Sequence, residues 1–158
     1  MVAKQEDGQA IPPSPMRAGV YLVFERGGRI LIDRHTHTGY HDGEFGLPGG
    51  HIEAGEPASG AAIRIAYEQV GIKLRLAELR LAHVMHRSSK SGTPMDNIDF
   101  YFLVLNFPGE AQDRMPDIFD SMSWVSWNSL PPNTLAEVRY ALECIRQDKI
   151  YSEFDFIN

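Results

Sequence analysis

The sequence has almost no cysteine, no excess of basic residues and no long apolar run. Cys144 is the only cysteine among 158 residues, which excludes an intrachain disulfide and a cysteine-based zinc site. The 15 lysines and arginines are outnumbered by 21 aspartates and glutamates, giving a net charge of −6. This balance excludes a broad basic surface for a nucleic-acid polymer or an anionic membrane. A small anionic ligand would therefore need local positive groups or a metal ion.

The N-terminal region has neither the apolar core of a signal peptide nor a stretch long enough to span a bilayer. We therefore expect a cytoplasmic protein in a reducing compartment, acting as a monomer or homodimer. Residues 1–18 contain three prolines and no hydrophobic periodicity, which predicts a flexible N-terminal segment. The remaining residues, 19–158, are long enough for one domain with a continuous core.

The pattern of apolar residues predicts strands mixed with two helices. Two apolar runs flanking Gly27-Gly28 indicate a hairpin, and the five glycines in residues 36–50 exclude a helix there. The predicted strands are Gly19–Glu25, Arg29–Arg34, Leu79–His86, Ile98–Leu105 and Ser123–Trp127. One helix is predicted over Ala58–Val70, ending at Gly71, and a second over Thr134–Ile150, opened by a Thr134–Glu137 capping box. The sequence thus predicts the α/β class.

The most informative segment runs from Gly50 to Ile72. Its characteristic residues are Gly50, Glu56, Arg64, Glu68, Gly71 and Ile72. With the preceding Leu47-Pro48-Gly49, this spacing resembles the Nudix box of hydrolases that cleave a diphosphate linked to another moiety. Further segments resemble bacterial MutT-like proteins, so the similarity covers nearly everything from Gly19 onward. The resemblance implies an α/β/α sandwich, with a mixed sheet between helices and a loop-helix-loop motif at 50–72.

The resemblance also implies divalent-metal chemistry. Cleavage of a diphosphate needs Mg²⁺ or Mn²⁺, which prefer oxygen ligands. Glu68 and the Gly49 carbonyl correspond to metal ligands of the family, and Glu56 pairs with Arg64 to brace the loop against the helix. Glu56, Arg64, Glu68 and Gln69 are therefore the candidate catalytic set.

Three positions depart from the family pattern, two of them within the box. Ile65 and Gln69 stand where the family has metal-binding glutamates, and Met115 stands where many relatives carry a further glutamate. Ile65 either extends the apolar face of the helix or lines a dry pocket, and Gln69 could still ligate a metal weakly through its amide oxygen. We expect weak binding of Mg²⁺ or Mn²⁺. Loss of a general base would cost about 10² to 10⁴-fold in rate.

Candidate ligand-binding residues lie on both sides of the box. Arg34 and His35 end the second predicted strand, and His51 follows Gly50 at a position close to the phosphates in relatives. Asn133 lies in the segment that lines the base pocket of MutT-like proteins. Its amide suits a purine edge, although an ordinary turn or helix cap explains it equally well. The histidines lack the regular spacing of a zinc motif.

Three functions remain open. The leading hypothesis is a divalent-metal-dependent hydrolase of a nucleoside di- or triphosphate, or of a related diphosphate compound, with weakened or retuned catalysis. The second is a nucleotide-binding protein without turnover. The third is a non-hydrolytic enzyme that reuses the pocket. In each case the expected partner is a small nucleotide or diphosphate ligand, with no nucleic-acid polymer and no membrane.

Overall fold

A computed structural model of the chain describes residues 13–89 and 95–156. Its strands are β1 (Met16–Arg26), β2 (Arg29–His35), β3 (Phe45–Gly46), β4 (Gly49–His51), β5 (Leu79–Arg87), β6 (Asp96–Val104), β7 (Phe119–Ser126) and β8 (Tyr151–Phe154). Helix α1 covers Ala58–Ile65 and continues as a π-helical turn over Ala66–Val70, and helix α2 covers Ala136–Arg146. A short 3₁₀ turn lies at Leu76–Glu78. Within the described ranges, no helix is both long and apolar enough to cross a membrane.

Strand β1 joins the two parts of the sheet. It pairs in parallel with β6 along most of its length and antiparallel with β4. Strand β5 then adds antiparallel to β6, and β8 adds parallel to β5. The β1–β2 hairpin is paired only near its turn, at Glu25–Ile30 and Arg26–Arg29, after which β2 diverges to pair with β3 and β7. Gly27 and Gly28 both adopt positive φ in that turn, a conformation that favours glycine.

Each face of the sheet packs against one helix. Because side chains alternate along a strand, Val20, Leu22 and Phe24 of β1 lie in the core beneath α1. Val23 faces the opposite way and packs in the core beneath α2, together with Tyr101. The observed layers confirm the predicted α/β/α sandwich with a mixed sheet.

The ends of several elements differ from the sequence-based expectation. Strand β1 begins at Met16, so its first residues lie within the segment expected to be flexible. Met16 pairs with Asp96 of β6, which gives this part of the chain a place in the sheet. The rest of that segment, residues 1–12, lies outside the described residues. The glycine-rich region 36–50 contains β3 and the start of β4, both too short to produce a period-2 pattern.

The C-terminal prediction was wrong at both ends of the helix. Helix α2 begins at Ala136, and the Thr134 hydroxyl donates to the Pro131 carbonyl (2.8 Å) instead of capping the helix. The predicted capping box is therefore absent. The helix ends at Arg146, and the residues that follow enter β8, which had not been expected.

Candidate active site

The loop before α1 is tied to the helix by a two-pronged ion pair. The Arg64 guanidinium donates from Nε to Glu56 Oε1 (2.8 Å) and from a terminal nitrogen to Glu56 Oε2 (2.9 Å). The same side chain donates to the His51 carbonyl (3.0 Å), which fixes the end of β4. Hydrogen bonding from Arg64 lowers the pKa of Glu56 to about 2, so this carboxylate stays ionised in any ordinary buffer. The expected brace is present.

The π-helical turn positions the two polar residues at the end of the box. It ends at Gly71, whose φ of 75° closes the helix in the left-handed conformation. Within this turn Glu68 faces solvent and Gln69 is buried. A π turn inside an α-helix frequently marks a functional site, since it redirects adjacent side chains. Here it separates a charged, exposed side chain from a neutral, buried one.

Gln69 hydrogen-bonds twice to the backbone of Gly49. Its amide nitrogen donates to the Gly49 carbonyl (2.8 Å), and its amide oxygen accepts from the Gly49 N–H (3.1 Å). The Gly49 carbonyl is the group that corresponds to a metal ligand in the family. In this chain that carbonyl is occupied by a hydrogen bond from the residue that replaces a glutamate.

Ile65 belongs to the core beneath α1. It is 1% exposed, and its side chain packs against the Gly50 backbone. A Cβ on Gly50 would lie 3.4 Å from Ile65 Cδ1, which places the Ile65 side chain in contact with β4. Of the two interpretations of Ile65, the structure favours extension of the apolar helix face.

The residues of the box do not fit a multi-carboxylate metal centre. Glu68 is engaged by Arg64 (3.1 Å), Gln69 is bonded to Gly49, and Ile65 is in the core. Among the residues that the structure describes, no group of three or more His, Cys, Asp or Glu side chains is placed to hold a metal ion. In the described part of the chain, Glu68 is therefore the one family metal-ligand glutamate that the box retains, and a guanidinium holds it.

A cleft of about 280 Å³ opens on the α2 side of the sheet, next to β4. It is walled by residues from the sheet, the 35–47 loop and the first turn of α2. These are Arg17, Tyr21, His35, Tyr40, His41, Gly46, Leu47, His51, Arg87, Asn97, Leu135, Glu137 and Val138. Apolar walls with a few convergent polar groups are typical of a small-molecule site. Of the predicted ligand-binding residues, His35 and His51 line this cleft.

The floor of the cleft contains a partly buried ion pair. Arg87 donates from Nε to Asp99 Oδ2 (2.9 Å), and Asp99 is 1% exposed. Burial raises the pKa of Asp99, and the adjacent guanidinium opposes that rise. Tyr21 and Tyr101 stack beside the pair at 5.1 Å between ring centroids. Burial of Tyr101 also raises its pKa, and its hydroxyl has no hydrogen-bond partner in the described ranges.

A second buried carboxylate lies beside the cleft. Asp33 of β2 is fully buried, and neither carboxylate oxygen accepts a hydrogen bond from any described residue. His35 Nε2 lies 3.8 Å from Asp33 Oδ1. Burial raises the pKa of Asp33 to about 7, with a smaller contribution from Asp113. An aspartate within an otherwise apolar strand was the sequence signal for this group, and our sequence analysis assigned it no role.

Two of the predicted ligand-binding side chains are placed elsewhere. Arg34 forms a two-pronged pair with Asp120 (2.7 and 2.9 Å). Asn133 donates to the Gly43 carbonyl (2.6 Å), which supports the loop before α2. Neither is among the residues that wall the cleft. Sequence reasoning also missed three residues of the cleft, Arg17, Arg87 and Glu137. The register of distant strands brings the two arginines there, and the packing of α2 on the sheet brings Glu137.

The geometry of the box and the sequence as a whole identify the family. A family model described as NUDIX domain matches residues 13–143, which is most of the chain. The chain belongs to the Nudix family.

Similar proteins include one curated sequence and many solved structures. The chain is 29% identical to YtkD of Bacillus subtilis (strain 168) over 127 residues, 80% of this chain and 71% of the relative, which carries a provisional name as an 8-oxo-dGTP diphosphatase. A MutT Nudix hydrolase from Burkholderia pseudomallei superposes with a TM-score of 0.74 at 28% identity, covering 82% of this chain and 98% of that one. A Francisella tularensis NMN adenylyltransferase/ADP-ribose pyrophosphatase, crystallised with AMP and a manganese ion, has a TM-score of 0.66 at 20% identity, covering 88% and 43%. That last likeness shows the fold alone.

Proposed function

We propose that this chain is a Nudix pyrophosphohydrolase with weakened catalysis, acting on a nucleoside di- or triphosphate or a related diphosphate compound. The observation that carries the proposal is the double hydrogen bond between Gln69 and Gly49. It retains the shape of the box while engaging one lone pair of a carbonyl that corresponds to a metal ligand in the family, and it puts a neutral amide where the family has a carboxylate. We therefore propose weak use of Mg²⁺ or Mn²⁺.

The cleft and the relatives support a nucleotide-sized ligand. A volume of about 280 Å³ bounded by both apolar and polar walls suits a small molecule rather than a polymer. The name of the Bacillus subtilis relative refers to 8-oxo-dGTP, which contains phosphoanhydride bonds. On this proposal His51 and the glycines of β4 meet the diphosphate, and His35 and Leu47 contact the rest of the ligand.

The chain's own residues supply positioning in this proposal. The Arg64–Glu56 brace fixes the end of β4 through the His51 carbonyl, so the backbone of Gly50 is held in one place. Glu68 is the remaining glutamate of the box at a metal-ligand position of the family, and Arg64 holds it at the helix surface. Holding the ligand in a fixed orientation contributes a large part of catalysis. Turnover is therefore expected to continue, slowly, when the metal-binding groups are reduced.

A second candidate is nucleotide binding without turnover. It is favoured by the pairing of Glu68 with Arg64 (3.1 Å), because a carboxylate held by a guanidinium is a poor base for activating water. Binding without product formation would distinguish this candidate from the first.

The test is a panel of nucleoside di- and triphosphates and sugar diphosphates. Each is incubated with the full chain and Mg²⁺, Mn²⁺ or EDTA, and the release of nucleoside monophosphate, sugar phosphate, pyrophosphate or phosphate is measured by ion-exchange chromatography. We expect slow, metal-stimulated hydrolysis of some members that Glu68→Gln abolishes. Glu53→Gln is the matched control, since Glu53 is an exposed carboxylate also near Arg64 (3.7 Å) but outside the catalytic set. No release from any compound, with binding retained, would select the second candidate.

A further inference from the structure

We infer that the sheet floor of the cleft is an anion subsite, in which Arg17, Arg87 and His51 hold phosphate oxygens without a metal ion. The inference rests on the proposed function, because it concerns how the same ligand is held. It assigns to cationic side chains a role that metal ions have in the family pattern.

Strand register brings the three side chains to one face. Asn97 of β6 lies opposite Arg17 of β1 and also opposite Arg87 of β5, so these residues form a row across three strands. In the next row Gly19 of β1 lies between His51 of β4 and Asp99 of β6. Residues directly opposite each other on neighbouring strands share a face of the sheet. All of these side chains therefore face the α2 side, where the cleft opens.

The two guanidinium groups have donors to spare. Arg87 uses Nε for Asp99, and its two terminal nitrogens have no hydrogen-bond partner in residues 13–89 and 95–156. The Asp99 bond fixes the plane of the guanidinium, so those terminal nitrogens are preorganised. Arg17 is exposed at the rim and pairs with no carboxylate in the same ranges. A planar guanidinium with free donors matches the geometry of phosphate oxygens.

Glycine at position 19 keeps the floor open. A Cβ on Gly19 would lie 2.8 Å from Asp99 Oδ1, closer than real Cβ contacts, so a side chain there would displace the carboxylate that holds Arg87. The space between His51 and Arg87 depends on this glycine.

One carboxylate opposes the anion. Glu137, in the first turn of α2, lines the same cleft and is close enough to interact electrostatically with Arg87 and Asp99. Asp99 offsets Arg87, so Arg17 supplies the main uncompensated positive charge and Glu137 reduces its effect. Removal of the two charges should therefore change anion affinity in opposite directions.

The test is calorimetric titration of the full chain with inorganic pyrophosphate in EDTA at low ionic strength. We expect binding that Arg17→Gln weakens about tenfold, that Arg17→Lys largely retains, and that Glu137→Gln tightens severalfold. Arg80→Gln is the matched control, because Arg80 is another exposed arginine, on β5 outside the cleft. It should change affinity less than twofold.

Two results would overturn the inference: no pyrophosphate binding in EDTA, or equal weakening by Arg17→Gln and Arg80→Gln. Arg87→Lys adds a second check, since it keeps the charge beside Asp99 but removes the planar donors, and unchanged affinity would also count against the subsite. Failure of the proposed function gives a different pattern, namely pyrophosphate binding in EDTA with no hydrolysis of any compound in the panel. Hydrolysis with metal but no binding in EDTA would reject the subsite alone.

Discussion

The two faces of the sheet use their polar groups in opposite ways. On the α1 face the box is closed on itself, with Gln69 bonded to Gly49 and Arg64 bonded to Glu56 and Glu68. On the α2 face the guanidinium of Arg87 retains free donors in the described part of the chain. A motif can therefore keep its structural role while its chemical groups are lost. The ligand-binding capacity of this chain is then expected on the face that the motif does not form.

The largest effect should come from restoring a glutamate at position 65. Ile65 is 1% exposed, so Ile65→Glu places an ionisable group in the core and should lower the free energy of unfolding by about 3 kcal/mol or more. Urea denaturation measures the change, and Ile65→Val, at about 1 kcal/mol, is the control for volume. A stable Ile65→Glu protein would mean that this face of α1 opens to solvent. It would contradict the difference described between the two faces of the sheet.

Asp33 should give the chain a stability that falls as pH rises. Its pKa is about 7 in the folded state and about 4 when unfolded, so the folded state binds the extra proton between these values. The contribution of the Asp33 proton to stability is fully present near pH 4, decreases as the pH rises to 7 and stays absent above that. The free energy of unfolding therefore falls by a few kcal/mol over this range.

Asp33→Asn removes this dependence. The stability of the variant relative to the unmodified protein should therefore be more favourable at pH 8 than at pH 5. His35 (3.8 Å away) and Asp113 are the neighbouring titratable groups, so His35→Gln in the same background separates their contributions. Melting temperatures across pH 5 to 8 measure both. Parallel curves for Asp33→Asn and the unmodified protein would show that Asp33 is already neutralised by a partner.

Gln69→Glu should create a metal-dependent stability. A carboxylate can still accept from the Gly49 N–H, but its second oxygen would face the Gly49 carbonyl and repel it. We expect a melting temperature several degrees lower in EDTA, with part of the loss recovered by Mg²⁺. Gln69→Met, which removes both hydrogen bonds without adding charge, is the control and should not respond to Mg²⁺. Equal responses of the two variants to Mg²⁺ would show that the introduced carboxylate does not bind a metal ion on the α1 face.

The smallest effect should come from the Glu56–Arg64 brace, which is partly exposed. The folded pKa of Glu56 is lowered to about 2 from 4.5, so the pair stabilises the fold above about pH 4.5 and loses that effect as pH falls towards 2. Glu56→Gln should lower the melting temperature by a few degrees at pH 7 and by much less at pH 3. Glu53→Gln provides the comparison with an exposed carboxylate. A difference that is independent of pH would indicate that the brace acts through packing alone.

Local sequence signals predicted the box well. The family resemblance implied the pairing of Glu56 with Arg64, and Gly71 marked the end of the helix. The hairpin was also predictable from the sequence, because its turn glycines and its apolar strands are adjacent in the chain. Each of these features depends on residues a few positions apart.

The cleft could not be predicted in the same way. Arg17 and Arg87 come together only through pairing of three strands, and no local pattern encodes that register. The Thr134 capping box failed because the N-cap is Leu135, so Thr134 precedes the helix and its hydroxyl donates to the Pro131 carbonyl. Strand β8 was missed because it is four residues long and mostly polar or exposed.

The bond between Gln69 and Gly49 also affects how this chain meets other chains. Strand β4 pairs with β1 on one side only, which leaves Gly49 with an outward-facing N–H and carbonyl. The primary amide of Gln69 satisfies both, as the backbone of a neighbouring strand would. Unpaired edges are the places where foreign strands add and aggregation begins. A side chain of the helix therefore closes this edge of the sheet against the addition of a strand from another chain.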